Sequence, residues 1–193
     1  MNAVSEMTRS QRLKAKTVAT HEKLDHSIMA SAPFSTKENY ARFLQAQYSF
    51  LRDVDALYDH AELAALLPAL DERRRYARIA ADLADLHSPL PEAGPEAPLT
   101  ADLDLPTALG WLYVSEGSKL GGAVLYKLAG KLGLDEQFGA RHLAGHADGP
   151  ARHWREFTTA LDSVPLDAEQ EARVVAGAEA AFNRMHGHVG RAF

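Results

Sequence analysis

The stretch LGWLYVSEGSKLGG, Leu109 to Gly122, decides how this chain folds. It lies inside a helical pattern that opens at Asp104 and reaches about Leu132, with Gly133 as a natural stop. Six of the chain's thirteen glycines fall between Gly110 and Gly133. Gly117, Gly121 and Gly122 sit mid-pattern, where each costs about 1 kcal/mol relative to alanine. Three together cost about 3 kcal/mol or mark a bend in the helix. Gly117 and Gly121 are one turn apart, so in a regular helix their bare backbones share a face. Two readings stay open. A neighbouring helix packs there through small residues, or a flat ligand lies against the main chain under a kinked helix.

Outward from this stretch the chain punctuates itself into further helices. Thr8 and Gln11 have capping-box spacing, and a helical pattern runs from there to about Ala30 before Pro33 breaks it. Ser35 and Glu38 form a second box ahead of a stripe from Tyr40 through Phe43, Leu44, Phe50, Leu51, Val54 and Leu57 to Tyr58. A short helical piece spans Ala61 to Leu67, ended near Pro68. Arg73 to Leu86 reads as helix, with Tyr76, Ile79, Leu83 and Leu86 inward and the run Arg73 to Arg75 outward as a solvated face. His87 to Ala101 contains Pro89, Pro91, Pro95 and Pro98 and reads as a loop crossing within one domain. A Gly- and His-rich loop covers Asp135 to Pro150, and helix resumes at Ala151 to Leu161. Asp167 and Gln170 box a last helix through Val174, Ala178, Phe182, Met185 and Val189. No strand alternation or internal repeat is present, so the expected fold is all-α, one domain over residues 1–193.

Composition excludes several kinds of chemistry. The 193 residues contain no cysteine, which removes disulfides, zinc–thiolate sites, iron–sulfur clusters and thiolate ligation. A net charge of -5 argues against nucleic acid as main partner. No apolar run reaches the roughly 20 residues of a membrane span. The N-terminus MNAVSEMTRSQ lacks a signal pattern, so a cytoplasmic protein is expected. No Walker A loop and no GxGxxG after a strand is found. Tyr113 to Gly117 misses the first glycine of a nucleophile elbow. No Glu-x-x-His pair supports a di-iron bundle. His142 and His146 are four apart, but Gly145 and Gly149 favour loop histidines over a helical ligand pair.

That leaves nine histidines to sort. At 100° per residue from Leu13, Leu24, Thr17 and Ile28 fall at about 20°, 40° and 60°, and His21 at about 80°. His21 therefore borders the buried stripe of the first helix, while His26, at about 220°, lies opposite. Lys14 precedes His21 by two turns on nearly the same side. His21 is either a satisfied core imidazole or a neutral ligand to a metal centre between helices.

The quoted stretch resembles the distal helix of biliverdin-producing heme oxygenases, in particular their bacterial, pseudomonad-type branch. The blocks Arg9 to Leu13 (RSQRL), Pro33 to Tyr48, Asp135 to Ala144 (DEQFGARHLA) and Ala181 to Arg184 (AFNR) are similar to that family in order and spacing. The resemblance covers nearly the whole chain and implies a helical bundle with heme between the first helix and the glycine-kinked one. His21 matches the proximal histidine, the only protein ligand to the heme iron. Gly117 and Gly121 match the distal glycines over the other heme face. Lys14 and Tyr113 match positions that anchor the heme propionates. Both are of the type found in enzymes that open heme at the α-meso carbon, where δ-opening members have Asn and Phe. Phe182 matches a heme-contacting aromatic. Ser118 stands where mammalian-type enzymes carry a distal Asp, so the proton relay there must use other groups and water.

The implied activity is oxygen- and electron-dependent opening of heme, at once substrate and cofactor, to biliverdin IXα, carbon monoxide and ferrous iron. It implies molecular oxygen as co-substrate and an external electron donor, a ferredoxin or reductase. A bilin acceptor such as a bacteriophytochrome is a further implied partner, with iron release the alternative purpose. Two other classes remain at this stage: a non-catalytic heme carrier or sensor, and a helical interaction module in which His21 is merely core.

Overall fold

The computed structural model describes residues 7–67, 69–145 and 149–193. Within them the chain forms helices α1 (Arg9–Ala30), α2 (Lys37–Val54), α3 (Ala61–Leu66), α4 (Tyr76–Asp85), α5 (Leu105–Gly117), α6 (Gly122–Gly130), α7 (Pro150–Ser163) and α8 (Ala168–Ala192). Three short 3₁₀ turns, Asp55–Asp59, Asp71–Arg73 and Ser118–Gly121, connect or interrupt them. Among the described residues the only strand-like pairing is an isolated bridge between Asp135 and Gly139, so the expected all-α class holds. None of the described helices is long and apolar enough to cross a membrane.

Local chemistry sets the helix starts. Thr8 and Gln11 cap α1 reciprocally, as do Asp167 and Gln170 for α8, both as expected. The α2 cap lies one residue later than expected, with Thr36 accepting from the Asn39 amide at 3.1 Å. The reason is Asn39, whose side chain donates to Ala32 O (3.2 Å) and Ser35 Oγ (3.1 Å) and fixes the register. Helix α4 starts three residues later than expected, because Asp71–Arg73 closes as a 3₁₀ turn. The piece after Tyr58 ends at Leu66, and Pro68 lies outside the described residues.

Helix α8 is the axis of the bundle and packs on α5, α1 and α2. Its crossing with α5 is set by two glycines. A Cβ on Gly110 would stand 2.1 Å from Val174 O, and one on Gly177 would stand 2.5 Å from Thr107 O. Small-residue packing therefore occurs in this protein at Gly110 and Gly177, not at Gly117 and Gly121. Arg9, buried, draws the start of α1 onto the α7–α8 connection by donating to Val164 O (2.7 Å), Leu161 O and Glu171. Burial raises the Glu171 carboxyl, but its bonds from Arg9 and Arg12 outweigh that and hold it below the ordinary value. The proline-rich 87–101 segment is stapled to α2 through Leu99 N to Asp53 O (2.9 Å) and Gln45 to Pro89 O (2.9 Å).

The expected single helix from 104 to 132 is broken. Helix α5 stops at Gly117, Ser118–Gly121 turns as 3₁₀, and α6 resumes at Gly122. The glycine cluster thus marks a 3₁₀ interruption of the helix.

Candidate functional site

The first helix presents His21 half exposed, with a side chain 54% accessible beside the buried Leu13, Thr17 and Leu24. Its Nε2 lies 3.6 Å from Asp25, and its ring stands edge-on to Phe182 of α8, centroid to centroid 5.4 Å. It is not a core imidazole. The phase reading put it at the border of the apolar stripe, and the structure finds it there, propped by an aromatic from the central helix. His26 is also exposed but lies on the other side of α1. Lys14 is exposed two turns before His21.

The distal segment offers a different surface. A Cβ on Gly121 would meet nothing within 4 Å, whereas one on Gly117 would touch the Trp154 indole of α7 at 3.5 Å. The two glycines do not share an open face as the one-turn spacing suggested. A 3₁₀ segment turns about 120° per residue, so four steps rotate the backbone by roughly a third of a turn, against about 40° in an α-helix. Gly117 packs on Trp154, which also lies 5.5 Å from the Tyr113 ring. Burial pushes the Tyr113 phenol up, so it acts as a neutral donor. The open backbone at Gly121 is flanked by exposed apolar side chains, Leu120 (44%) and Val124 (64%), while Val18 (49%) is exposed one turn before His21 on α1. Exposed apolar groups beside an open main chain suit a flat, largely apolar ligand.

Beneath the bend lies a buried polar cluster. Glu116 is 2% exposed. It accepts from Arg73 Nη1 (2.8 Å), from Lys119 Nζ at both oxygens (2.8 Å each) and from the Tyr58 hydroxyl (3.2 Å). Burial raises its carboxyl, but Lys119, Arg75 and Arg73 together hold it below the ordinary value. Lys119 is pushed down to about 8, first by burial and then by Arg75 and Arg73, against the pull of Glu116. Arg75 donates to Ser115 O (3.0 Å) and Ser118 Oγ (2.9 Å), and its buried Nε has no hydrogen-bond partner among the described residues. Ser118 in turn donates to Ser115 O at 2.7 Å. The Ser118 hydroxyl proton is therefore used on the backbone, and Arg75 occupies one of its lone pairs.

This corrects the reading of Arg73 to Arg75 as a solvated face. Arg73 is buried, and both it and Arg75 serve the bend, because Glu116 from a distant part of the chain supplies the countercharge. Sequence reasoning missed Arg73, Arg75, Glu116, Lys119 and Trp154 as site neighbours. The only available signal was Glu116, an acid inside an otherwise apolar helix next to a glycine.

His142 is buried too, within reach of the Arg75 charge. Its Nδ1 lies 2.7 Å from Asp82, itself buried, and its Nε2 lies 3.2 Å from the Gln47 side-chain amide. Burial holds the imidazole below its ordinary value, although Asp82 opposes this. His146 lies outside the described residues. Among the described residues no cluster of three or more metal-ligating side chains occurs.

Together these features give a helical bundle with His21 half exposed on the first helix, Phe182 edge-on to it, and a 3₁₀ turn whose backbone is open at Gly121. The chain belongs to the heme oxygenase family, whose model matches residues 7–189. It is 47% identical over 185 residues to heme oxygenase PigA of Pseudomonas aeruginosa, covering 96% of this chain and 93% of that one. The heme oxygenase from Neisseria meningitidis, solved with NO and CO bound, superposes with a TM-score of 0.90 at 40% identity, over 96% of this chain and 92% of the other. Heme oxygenase-1 of the cyanobacterium Synechocystis, solved in complex with heme, shares the fold alone, with a TM-score of 0.75 at 16% identity over 96% and 92% of the two chains.

Proposed function

We propose that this chain, with residues 1–193 acting as one domain, binds heme between α1 and the 118–121 turn and opens it at the α-meso carbon. The products are biliverdin IXα, carbon monoxide and ferrous iron. Bound heme supplies the iron that activates molecular oxygen, with electrons from an external ferredoxin or reductase. His21 would be the single protein ligand to the heme iron. Gly121 lets the main chain approach a heme face without a Cβ. Phe182 backs the His21 ring and limits its rotation. Lys14 supplies a charge and Tyr113 a neutral donor for the propionates, and these set the in-plane orientation. Ser118, tied to Ser115 O and Arg75, holds the turn at a defined height. The α isomer suits supply of a bilin chromophore to an acceptor such as a bacteriophytochrome, with iron release as the other use.

The observation that carries this reading is His21, half exposed and edge-on to Phe182. Titration of the chain with ferric heme tests it. His21→Ala is expected to lose the wild-type Soret position and most bilin formation, while His26→Ala keeps both. Unchanged spectra for His21→Ala together with altered spectra for His26→Ala would overturn the assignment.

A further inference from the structure

We infer that Glu116 and Lys119 are positioning residues that lock the 118–121 turn in its 3₁₀ form and so set the distance of Gly121 from the heme face. This rests on the placement of heme against that turn. The turn needs a lock. It has no side-chain cap, it is bounded by Gly117, Gly121 and Gly122, and 3₁₀ geometry is weaker than α. Glu116 is the penultimate residue of α5 and Lys119 the second of the turn, and Lys119 Nζ reaches both carboxylate oxygens at 2.8 Å. The pair therefore spans the junction and ties the turn to the end of the helix.

The anchor end is fixed from three other segments. Arg73 of the 71–73 turn donates to Glu116 at 2.8 Å, and its own carbonyl accepts from Lys119 at 3.3 Å. Tyr58 of the 55–59 turn donates at 3.2 Å. Arg73 also donates to His153 O of α7 at 3.4 Å and lies 3.6 Å from Glu156. Three cations, Arg73, Arg75 and Lys119, surround one buried carboxylate, and Lys119 alone among them sits on the turn itself. Removing its ammonium loosens the turn, which keeps Arg75 on Ser118 Oγ (2.9 Å), while Arg73 and Tyr58 keep Glu116 paired.

The test uses Lys119→Met, which keeps the buried stem and removes the charge, with Lys119→Arg as the conservative rescue and Glu116→Gln as the reciprocal variant. Amide exchange is measured on each chain without heme, and heme affinity and bilin-forming kcat on the loaded enzyme. Lys119→Met is expected to speed exchange at residues 118–122 by about tenfold or more, through loss of the ammonium's hydrogen bonds to Glu116 and Arg73 O, with the rest of α5 unchanged. Its kcat should fall about as much while heme affinity moves less than threefold. Lys119→Arg should restore most of both. Unchanged exchange would overturn the lock, and faster exchange with unchanged kcat would overturn its role in the reaction. Gly121→Leu checks the placement of heme separately. Its side chain enters space empty in this structure, so undiminished heme binding by that variant would refute the placement and not the lock.

Discussion

Gly110→Ala and Gly121→Ala should change stability in opposite directions, although both replace glycine in the same helical run. At Gly110 the new methyl would stand 2.1 Å from Val174 O, 2.6 Å from Ala178 N and 3.0 Å from Gly177 C. All three are backbone atoms of α8, so no rotamer change relieves the overlap. The helices must part by more than an ångström to restore an ordinary contact of roughly 3.4 Å or more. Overpacking of this kind costs about 3 kcal/mol, against which helix propensity returns about 1 kcal/mol. The net loss is about 2 kcal/mol, a fall in Tm of about 4–8 °C for a chain of this size. At Gly121 the methyl meets nothing within 4 Å, so the same substitution should raise stability by up to about 1 kcal/mol. Urea unfolding of the chain without heme, followed by Trp111 and Trp154 fluorescence and by circular dichroism, separates the two. A Gly110→Ala chain as stable as the wild type would refute the close α5–α8 crossing. A Gly121→Ala chain that loses 2 kcal/mol would refute the open backbone.

Two further outcomes follow from the site and its surroundings. His142 is held below its ordinary value of 6.5, so below about pH 6.5 the unfolded chain binds a proton that the folded chain resists. Its contribution to stability is present above 6.5 and is lost as pH falls, by up to about 1.4 kcal/mol per unit. His142→Gln should show a shallower loss between about pH 7 and 5.5 in urea titrations, and parallel slopes would contradict this. Lys14→Asn with Tyr113→Phe should reduce the α share of the bilin product, read by HPLC, and an unchanged isomer ratio would remove those two residues from the control of heme orientation.

Features governed by neighbours in sequence were legible. The reciprocal caps at Thr8 and Asp167 involve residues three apart, and helical phase alone placed His21 at the edge of a buried stripe. The cap of α2 slipped by one residue because Asn39 reaches back to Ala32 and Ser35, a choice between two equally good hydroxyls. Features governed by distant neighbours were not legible. Gly110 looks like any glycine until α8 lies across it, and Arg73 looks solvated until Glu116, 43 residues later, is folded against it. The presence of a bend could be read from three mid-helix glycines. Its 3₁₀ geometry could not, and that geometry rotates Gly117 onto Trp154 while leaving Gly121 open.

Heme opening by this chain is tested most directly by the product of a single turnover experiment. The wild-type chain is loaded with one equivalent of heme, turned over aerobically with ascorbate or a ferredoxin–reductase couple, and the extract resolved by HPLC. The expected result is bleaching of the Soret band and a bilin that co-elutes with biliverdin IXα. A Soret band that persists through turnover would contradict heme opening by this chain, and a δ or β isomer would contradict the orientation assigned to Lys14 and Tyr113.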